Sequence, residues 1–586
     1  MKAMLNTRLT MLSVLLIAIG IFLLTWIAIF PFRYSAASAL IESANSSYRQ
    51  LRNLIPDRGR IFDRNGEVLA TNIMDYRISA SPNVILDKAK AAHLLAAALN
   101  DDEAHIAKLI ADDNSQYVVL ANEVSTETAQ KVAQTNLFGV KTEPIPVRRY
   151  PQGSLASQVV GFVGWRDDTR RGYVGVEGAY NTQLTGQVRV QPYSAIPFEV
   201  NPNDQPPPGN DVYLTIDRNI QYLAETELQS AIKKYGAVTG SVLIMDPRNG
   251  EILAMASYPN FDPNSYYKTL DPNALKNPIV SDTYEPGSVF KIVTGSVALQ
   301  SGKLGSSPLN WTYLDRSPFV VGGLPIYNWD RAGHGSQSFV DIFVKSLNIG
   351  TSHLAIDVLG ADAFYKGLKS FGVGSRTGID LEGEEGGILY QPGDRFWSDS
   401  ELATNSFGQG LTVTPLQMLS FANTIANNGQ MMQPHVRYKI VDGKQVIMGN
   451  PSVIRTPISP DVAHTFRDIM IKVVNDPVNG EGSKAKIPGY TVAGKTGTAQ
   501  FVCDTCAGAY DPDLYEATFV GFLPADEPRV SILIKLDKVS DFASQNAAPA
   551  FAELVKRLVV LMNIPSDAQR QALQAQGGNT ALIAGE

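Results

Sequence analysis

A serine hydroxyl becomes a useful nucleophile only when a neighbouring group takes its proton. The chain offers one such pairing, S-x-x-K, at four places: Ser230/Lys233, Ser265/Lys268, Ser288/Lys291 and Ser483/Lys486. Residues three apart share a helix face, so the spacing matters only where a helix follows the serine. Ser230 falls inside a predicted helix, while Ser265 and Ser483 stand among loop residues. Ser288, in EPGSVFKIVTGSVAL, follows a Pro-Gly turn signal and precedes an apolar run of helical length. At a helix start, free N–H groups and the dipole favour a developing oxyanion. A lysine at 291, desolvated and near another cation, can lose its proton and activate the hydroxyl.

Two more segments supply partners. Ser346-Leu347-Asn348 lies in VKSLNIGTSHLAI, just before another helical run. S-x-N also occurs at Ser43, Ser81 and Ser544, so it is weak in isolation. Lys495-Thr496-Gly497-Thr498, in TVAGKTGTAQF, is the only K-T-G in the chain. A strand there lends a cationic side chain, hydroxyls and backbone N–H groups to a cleft. Gly497 is expected to let a substrate backbone approach closely. The plain alternative is an ordinary strand carrying a glycine bulge.

These residues need a scaffold, and the chain of 586 residues is long enough for two or more domains. VYLTID and a helix from Arg218 to Lys234 open the second half. GSVLIMD and EILAMAS, around Pro-Arg-Asn-Gly, read as a β-hairpin. Far downstream, YTVAGKTGTAQF, EATFVGFLP and RVSILIKLD read as three more strands, followed by a helix from Gln545 to Met562. Strands at both ends of a mostly helical middle predict an α+β fold, one antiparallel sheet packed on helices. Upstream, Asn65-Gly66 is a hairpin signal, and Ala91 to Ala111 and Thr126 to Gln134 read as helical. NPNDQPPPGND, Asn201 to Asp211, is the best domain boundary. The expected organisation is a head at 1–8, an anchor at 9–30, an N-terminal module at 31–205, a catalytic domain at 206–565 and a fraying tail at 566–586.

Composition excludes some functions. A net charge of −7 without any basic run argues against nucleic acid. Leu9 to Phe30 carries no charge over 22 residues, enough to span about 30 Å of hydrocarbon. Trp26 and Phe32 suit an interfacial belt. Ala37-Ser38-Ala39 resembles a cleavage site, but the span exceeds the roughly 7–15 residues of a signal peptide. The expectation is a single transmembrane anchor in the cytoplasmic membrane, with the bulk of the chain outside the cytoplasm. Cys503 and Cys506 are the only cysteines. They supply two of the four ligands of structural zinc, so no metal is expected, and in an oxidising compartment a local disulfide is the simpler reading.

The order S-x-x-K, S-x-N, K-T-G resembles the motif set of penicillin-binding proteins and serine β-lactamases. RGRIFDRNG (Arg58 to Gly66), RRYPQG (Arg148 to Gly153), GVEGAYNTQLTG (Gly175 to Gly186), YNWDRAGHG (Tyr327 to Gly335) and SFGQGLTVTPLQM (Ser406 to Met418) look like class B penicillin-binding proteins. The resemblance runs from the anchor to about residue 563.

It implies a peptidoglycan D,D-transpeptidase with a pedestal or dimerisation-like module at 31–205, more like the division type. Ser288 would attack the penultimate D-alanine carbonyl of a stem peptide, with Lys291 as base. Ser346 and Lys495 would help shuttle protons, and Asn348 would hold the donor amide. The backbone N–H groups of Ser288 and Thr498 would form the oxyanion hole. The hydroxyls of Thr496 and Thr498 would receive the substrate carboxylate, with Gly497 between them. No cofactor is implied. Implied partners are D-alanyl-D-alanine stem peptides, β-lactams, a membrane glycan polymerase and proteins of the division or elongation complex. Two other readings share the motifs: a β-lactam-hydrolysing or sensing protein, and a non-catalytic cell-wall scaffold. The N-terminal module counts against the first, and intact Ser288, Lys291, Asn348 and Lys495 against the second.

Overall fold

The computed structural model describes residues 10–11, 13–26, 50–54, 56–166, 169–187, 189–193, 207–502 and 510–575. These fall into two compact units, divided at 57/58, 185/186 and 208/209. The smaller unit holds a helix over residues 13–26 with exposed apolar side chains, and an antiparallel ribbon pairing Gln50–Leu54 with Arg189–Tyr193. Among the described residues no helix is long and apolar enough to cross a membrane. The expected anchor at 9–30 lies only partly within them. Cys503 and Cys506 lie outside them.

The larger unit begins with β1 (Ile61–Phe62) and β2 (Val68–Ala80), joined by the predicted Asn65-Gly66 turn, where Gly66 has φ +91°. Helix α1 (Lys88–Leu99) starts on Asp87, whose side chain accepts from the Lys90 N–H. The sequence read helix from Ala91 to Ala111, but the structure breaks it. Asn100 adopts the left-handed conformation, φ +55°, and Asp102 caps a second helix, α2 (Glu103–Leu109). Asparagine tolerates that conformation and aspartate caps well, so Asn-Asp-Asp is a stop followed by a start. Strands β3 (Val118–Val124) and β4 (Val140–Arg149) pair with β2, and α3 (Thr126–Gln134) lies between them in sequence.

Three of the stretches singled out in the sequence meet here on one buried carboxylate. Glu177 accepts from Arg58 Nε at 2.6 Å, Arg148 Nε at 2.7 Å and the Tyr150 hydroxyl at 3.3 Å. Burial pushes the Glu177 carboxyl up, but Arg148 and Arg58 outweigh it and leave it below the usual range. The segments lie 119 and 29 residues from Glu177 in sequence. One charge cluster therefore ties the base of the fold together.

The site rests on a second layer. Strand β5 (Asp211–Leu214) pairs parallel with β1, and helix α4 (Arg218–Tyr235) follows, capped by Asp217. Strands β6 (Thr239–Met245) and β7 (Ile252–Tyr258) form the predicted hairpin. A helical middle comes next: α5 (Lys291–Gln300), α6 (Phe339–Val344), α7 (Asn348–His353), α8 (Pro415–Ala426) and α9 (Pro460–Asn475). The chain then returns as β8 (Ala493–Val502), β9 (Tyr510–Leu523) and β10 (Val530–Val539), followed by α10 (Ala547–Leu561) and, at the start of the expected fraying tail, a short helix α11 (Asp567–Ala575).

The sheet order is β7-β6-β10-β9-β8, all antiparallel, which puts β8 at an edge. Alternate residues point to opposite faces. Val242, Ile244, Phe519 and Ile534 pack with α4 and α10, while Leu243, Met245, Val520 and Leu533 pack with α5, α8 and α9. The predicted α+β architecture is present, with helices on both faces of the sheet.

Candidate active site

The nucleophile candidate sits where a turn becomes a buried helix. Gly287–Phe290 form a single 3₁₀ turn that runs directly into α5, whose residues 291–298 are all buried. Ser288 is half-buried on the turn, and Lys291, the first residue of α5, has no exposed surface. The other three lysines of S-x-x-K pairs, Lys233, Lys268 and Lys486, are all exposed. Burial therefore separates Lys291 from its sequence look-alikes.

Glycines let three segments converge on that turn. Gly287, at φ +57°, donates its N–H to Gly408 O at 3.0 Å, and a Cβ on Gly408 would stand 2.4 Å from Gly287 O. A Cβ on Gly287 would stand 2.9 Å from Thr498 O. One on Gly497 would stand 2.8 Å from both Pro286 O and Val289 Cγ1. Gly497 was expected to admit a substrate backbone. What its missing side chain admits is the nucleophile turn itself, which packs flush against β8.

Ser346 reaches the site from the end of α6. The Leu347 N–H bonds to Ile342 O at 2.8 Å, the six-to-one closure that ends a helix on a left-handed residue. That residue is Ser346, at φ +56°, a position glycine usually takes. The strain buys a placement: the Ser346 hydroxyl accepts from Lys495 Nζ at 2.9 Å and from Lys291 Nζ at 3.4 Å. Lys291 Nζ makes its two short bonds to Ser346 O and Asn348 Oδ1, both at 2.7 Å. The Asn348 amide spends one N–H on Tyr327 O at 2.9 Å and has a second to give.

Lys495 follows from strand alternation. It lies opposite Val520, on the sheet face shared with α5, whereas Thr496 and Thr498 lie opposite Phe519 and Ala517. Its Nζ also donates to Thr496 O at 3.1 Å and Thr496 Oγ1 at 3.3 Å. Thr496 is buried; Thr498 is partly exposed, and its hydroxyl accepts from the Ala543 N–H at 3.0 Å. Burial pushes the Lys495 ammonium down to about 8, against the pull of Glu481. Burial, then Lys495, pushes Lys291 well below the ordinary ammonium range.

Three features escaped the sequence reading. Among the described residues Glu481, half-buried, is the acid acting on both lysines, and no spacing signal marks it. Asn328 donates to Asp315 Oδ1 and Ala332 O and accepts from the Ile349 N–H, which locks the YNWDRAGHG loop under Asn348. Gly408 docks SFGQG on the nucleophile turn, aided by Thr294 Oγ1 donating to Ser406 O at 2.7 Å. Both loops stood out as resemblances, but their contacts are long-range and carry no local signal.

Comparison with known proteins agrees with this geometry. Residues 240–556 match the penicillin-binding protein transpeptidase domain, and residues 53–214 match the penicillin-binding protein dimerisation domain. Stage V sporulation protein D of Bacillus subtilis is 33% identical over 566 residues, covering 94% of this chain and 85% of that protein. Peptidoglycan D,D-transpeptidase FtsI of Escherichia coli is 30% identical, covering 90% of this chain and 88% of its own. The crystal structure of penicillin-binding protein 3 from Mycobacterium tuberculosis, complexed with aztreonam, aligns with a TM-score of 0.68 at 30% identity. It covers 88% of this chain and 98% of that one. With two buried lysines bridged by a serine beside the turn of Ser288, and with both halves of the chain matched, this protein belongs to the class B penicillin-binding proteins.

Proposed function

We propose that the chain cross-links peptidoglycan stem peptides as a D,D-transpeptidase whose acyl-enzyme forms on Ser288. The observation that carries the reading is the Ser346 hydroxyl held between Lys291 and Lys495, two buried lysines both driven toward neutrality. A neutral Lys291 has two N–H bonds and one lone pair. Its two short bonds go to Ser346 O and Asn348 Oδ1, so the lone pair is left to accept the Ser288 proton.

In the first half-reaction Ser288 Oγ attacks the penultimate D-alanine carbonyl and Lys291 takes its proton. The oxyanion lies against the backbone N–H groups of Ser288 and Thr498. As the C–N bond breaks, the proton passes through Ser346 to the departing D-alanine amine. In the second half-reaction an amine of another stem attacks the ester, and Ser288 recovers its proton. Asn348 offers its remaining N–H to the donor amide. Lys495, Thr496 and Thr498 receive the terminal carboxylate. Because β8 is a sheet edge, an extended peptide can add to it as a further strand, with the Gly497 backbone close to the nucleophile.

The same reading extends to the whole chain. Residues 9–30 anchor it in the cytoplasmic membrane, 31–205 form a pedestal for division-complex partners and a glycan polymerase, and 206–565 form the catalytic domain. Cys503 and Cys506 close a disulfide, and the role leans toward division. The test is turnover. The protein incubated with a D-alanyl-D-alanine peptide and an amine acceptor should release one D-alanine per peptide bond formed. Release of D-alanine with only the free acid as co-product would count against transfer.

A further inference from the structure

The sheet face under α5 is apolar where Leu243, Met245, Val520 and Leu533 line it, but it turns polar toward one end. Ser257, Ser241, Lys535, Thr518 and Gly497 stand side by side in register across β7, β6, β10, β9 and β8. The four side chains of this row are all buried. Thr239, Asp537 and Glu516 follow two residues further along β6, β10 and β9. Lys535 Nζ donates to Glu516 Oε1 at 3.3 Å and to Asp537 Oδ1, while Asp537 Oδ2 accepts from the Thr239 hydroxyl at 2.7 Å. Burial pushes the Lys535 ammonium down, but Asp537 and Glu516 outweigh it and hold it above its ordinary range. It stays charged at neutral pH.

The same ammonium lies 4.6 Å from the centroid of the Tyr284 ring, and Tyr284 is buried four residues before Ser288. The Tyr284 hydroxyl and the neighbouring Thr518 Oγ1 are buried without a well-formed hydrogen bond among the described residues. The ring is therefore oriented by packing and by the cation against its face. The Tyr284 main chain is paired both ways with Val413, at 3.0 Å each, and Gly287 is bonded to Gly408. The strip that carries Ser288 is thus stitched along one side to residues 408–413 and abuts β8 on the other. Tyr284 is where it is pinned to the sheet face. Stability is a weak reason for such a cluster, because a buried ion pair scarcely outperforms apolar side chains of like volume. What the ammonium adds is direction, since its attraction to a ring face favours one placement of that ring.

We propose that Lys535 is a positioning residue for acylation: through Tyr284 it sets the height of the Ser288 turn on the sheet, and with it the convergence of the Ser288 and Thr498 N–H groups on the substrate carbonyl. The inference rests on Ser288 as the acylated residue. A reacting group misplaced by about 1 Å can lose on the order of 10²-fold in rate, so a small shift of the turn is enough to be measured.

The test follows acylation of the full-length protein by benzylpenicillin at pH 7, where the dependence of rate on penicillin concentration separates Kd from the acylation rate constant. Lys535→Met alone strands two buried carboxylates. The informative variant is the triple Lys535→Met/Glu516→Gln/Asp537→Asn, which removes the cluster without leaving a charge unpaired. Its melting temperature should equal or exceed that of the wild type, while the acylation rate constant falls about tenfold or more and Kd stays within about twofold. Tyr284→Leu should lower the rate constant to the same degree, and added to the triple variant it should cost little more. Tyr284→Phe, which keeps the ring face, should acylate like the wild type. A triple variant with the wild-type rate constant overturns the proposal, as does a Tyr284→Phe variant as slow as Tyr284→Leu. A rate lost only in step with melting temperature would mean a merely structural cluster and also overturns it. If the triple variant does not fold, the Leu and Phe variants of Tyr284, which touch no charge, decide. A wild type that takes no label on Ser288 would instead mean that the acylation reading itself had failed.

Discussion

Lys495→Met should make the protein more stable while disabling it. The ammonium is 1% exposed, and burial lowers it from 10.5 to about 8. That difference corresponds to roughly 3 kcal/mol against the protonated form in the folded state. Methionine fills a similar volume without the charge. Thr496 O loses a donor, which costs about 1 kcal/mol, while the Ser346 hydroxyl keeps Lys291. The net gain at pH 7 is roughly 2 kcal/mol, a rise of a few degrees in melting temperature. The pH dependence is the sharper signature. Between pH 8 and 10.5 the folded lysine has lost its proton and the unfolded one retains it, so the unfolded state binds more protons and wild-type stability rises with pH. The advantage of the variant should therefore be full below pH 8 and close by pH 10.5. Calorimetry of both proteins at pH 7, 8.5 and 10 measures it, alongside β-lactam acylation, which should fall by orders of magnitude. A variant less stable at pH 7, or a stability gap that ignores pH, would refute the buried-ammonium argument.

Acylation by a β-lactam, followed as kcat/KM, should trace a bell. It rises as Lys291 loses its proton and falls near pH 8 as Lys495 becomes neutral and releases the carboxylate; a flat profile from pH 6 to 9 counts against both roles. Ser346→Ala and Ser346→Gly should lose acylation to a similar degree. The glycine variant should be more stable by about 1 kcal/mol in denaturant unfolding, because only glycine relieves φ +56°. Glu177→Gln leaves Arg58 and Arg148 without a counter-charge and should cost roughly 3–5 kcal/mol, visible as a lower melting temperature. An unchanged melting temperature would mean the cluster is not holding the base of the fold.

Legibility followed the range of each interaction. The hairpin of β6 and β7, the K-T-G strand and the helix after Ser288 rest on alternation, turn residues and apolar runs, all local, and all could be read. So could the setting of Ser288, since only one S-x-x-K follows a turn signal and precedes an apolar helical run. The bridge from Ser346 to Lys495 spans 149 residues, and Lys291 to Asn348 spans 57. Such contacts were reachable only through the family resemblance. Ser346 in a left-handed conformation had no signal, because serine rarely marks a helix end. Gly497 was read for its openness to a substrate, while packing against Pro286 and Val289 uses that openness. Glu481 was silent: an isolated glutamate in a loop looks like solvated surface until burial is known.

The central claim is that one serine of four carries the acyl group. Benzylpenicillin acylation, followed by digestion and mass mapping of the adduct, tests it directly. The label should sit on Ser288 and vanish in Ser288→Ala. Alanine at Ser230, Ser265 or Ser483 should leave it in place, since the lysines beside those serines are exposed and none is buried as Lys291 is. Lys291→Ala should slow labelling by roughly 10²–10⁴-fold, the usual contribution of a general base. Label on any other serine, or full labelling of Ser288→Ala, would contradict the account.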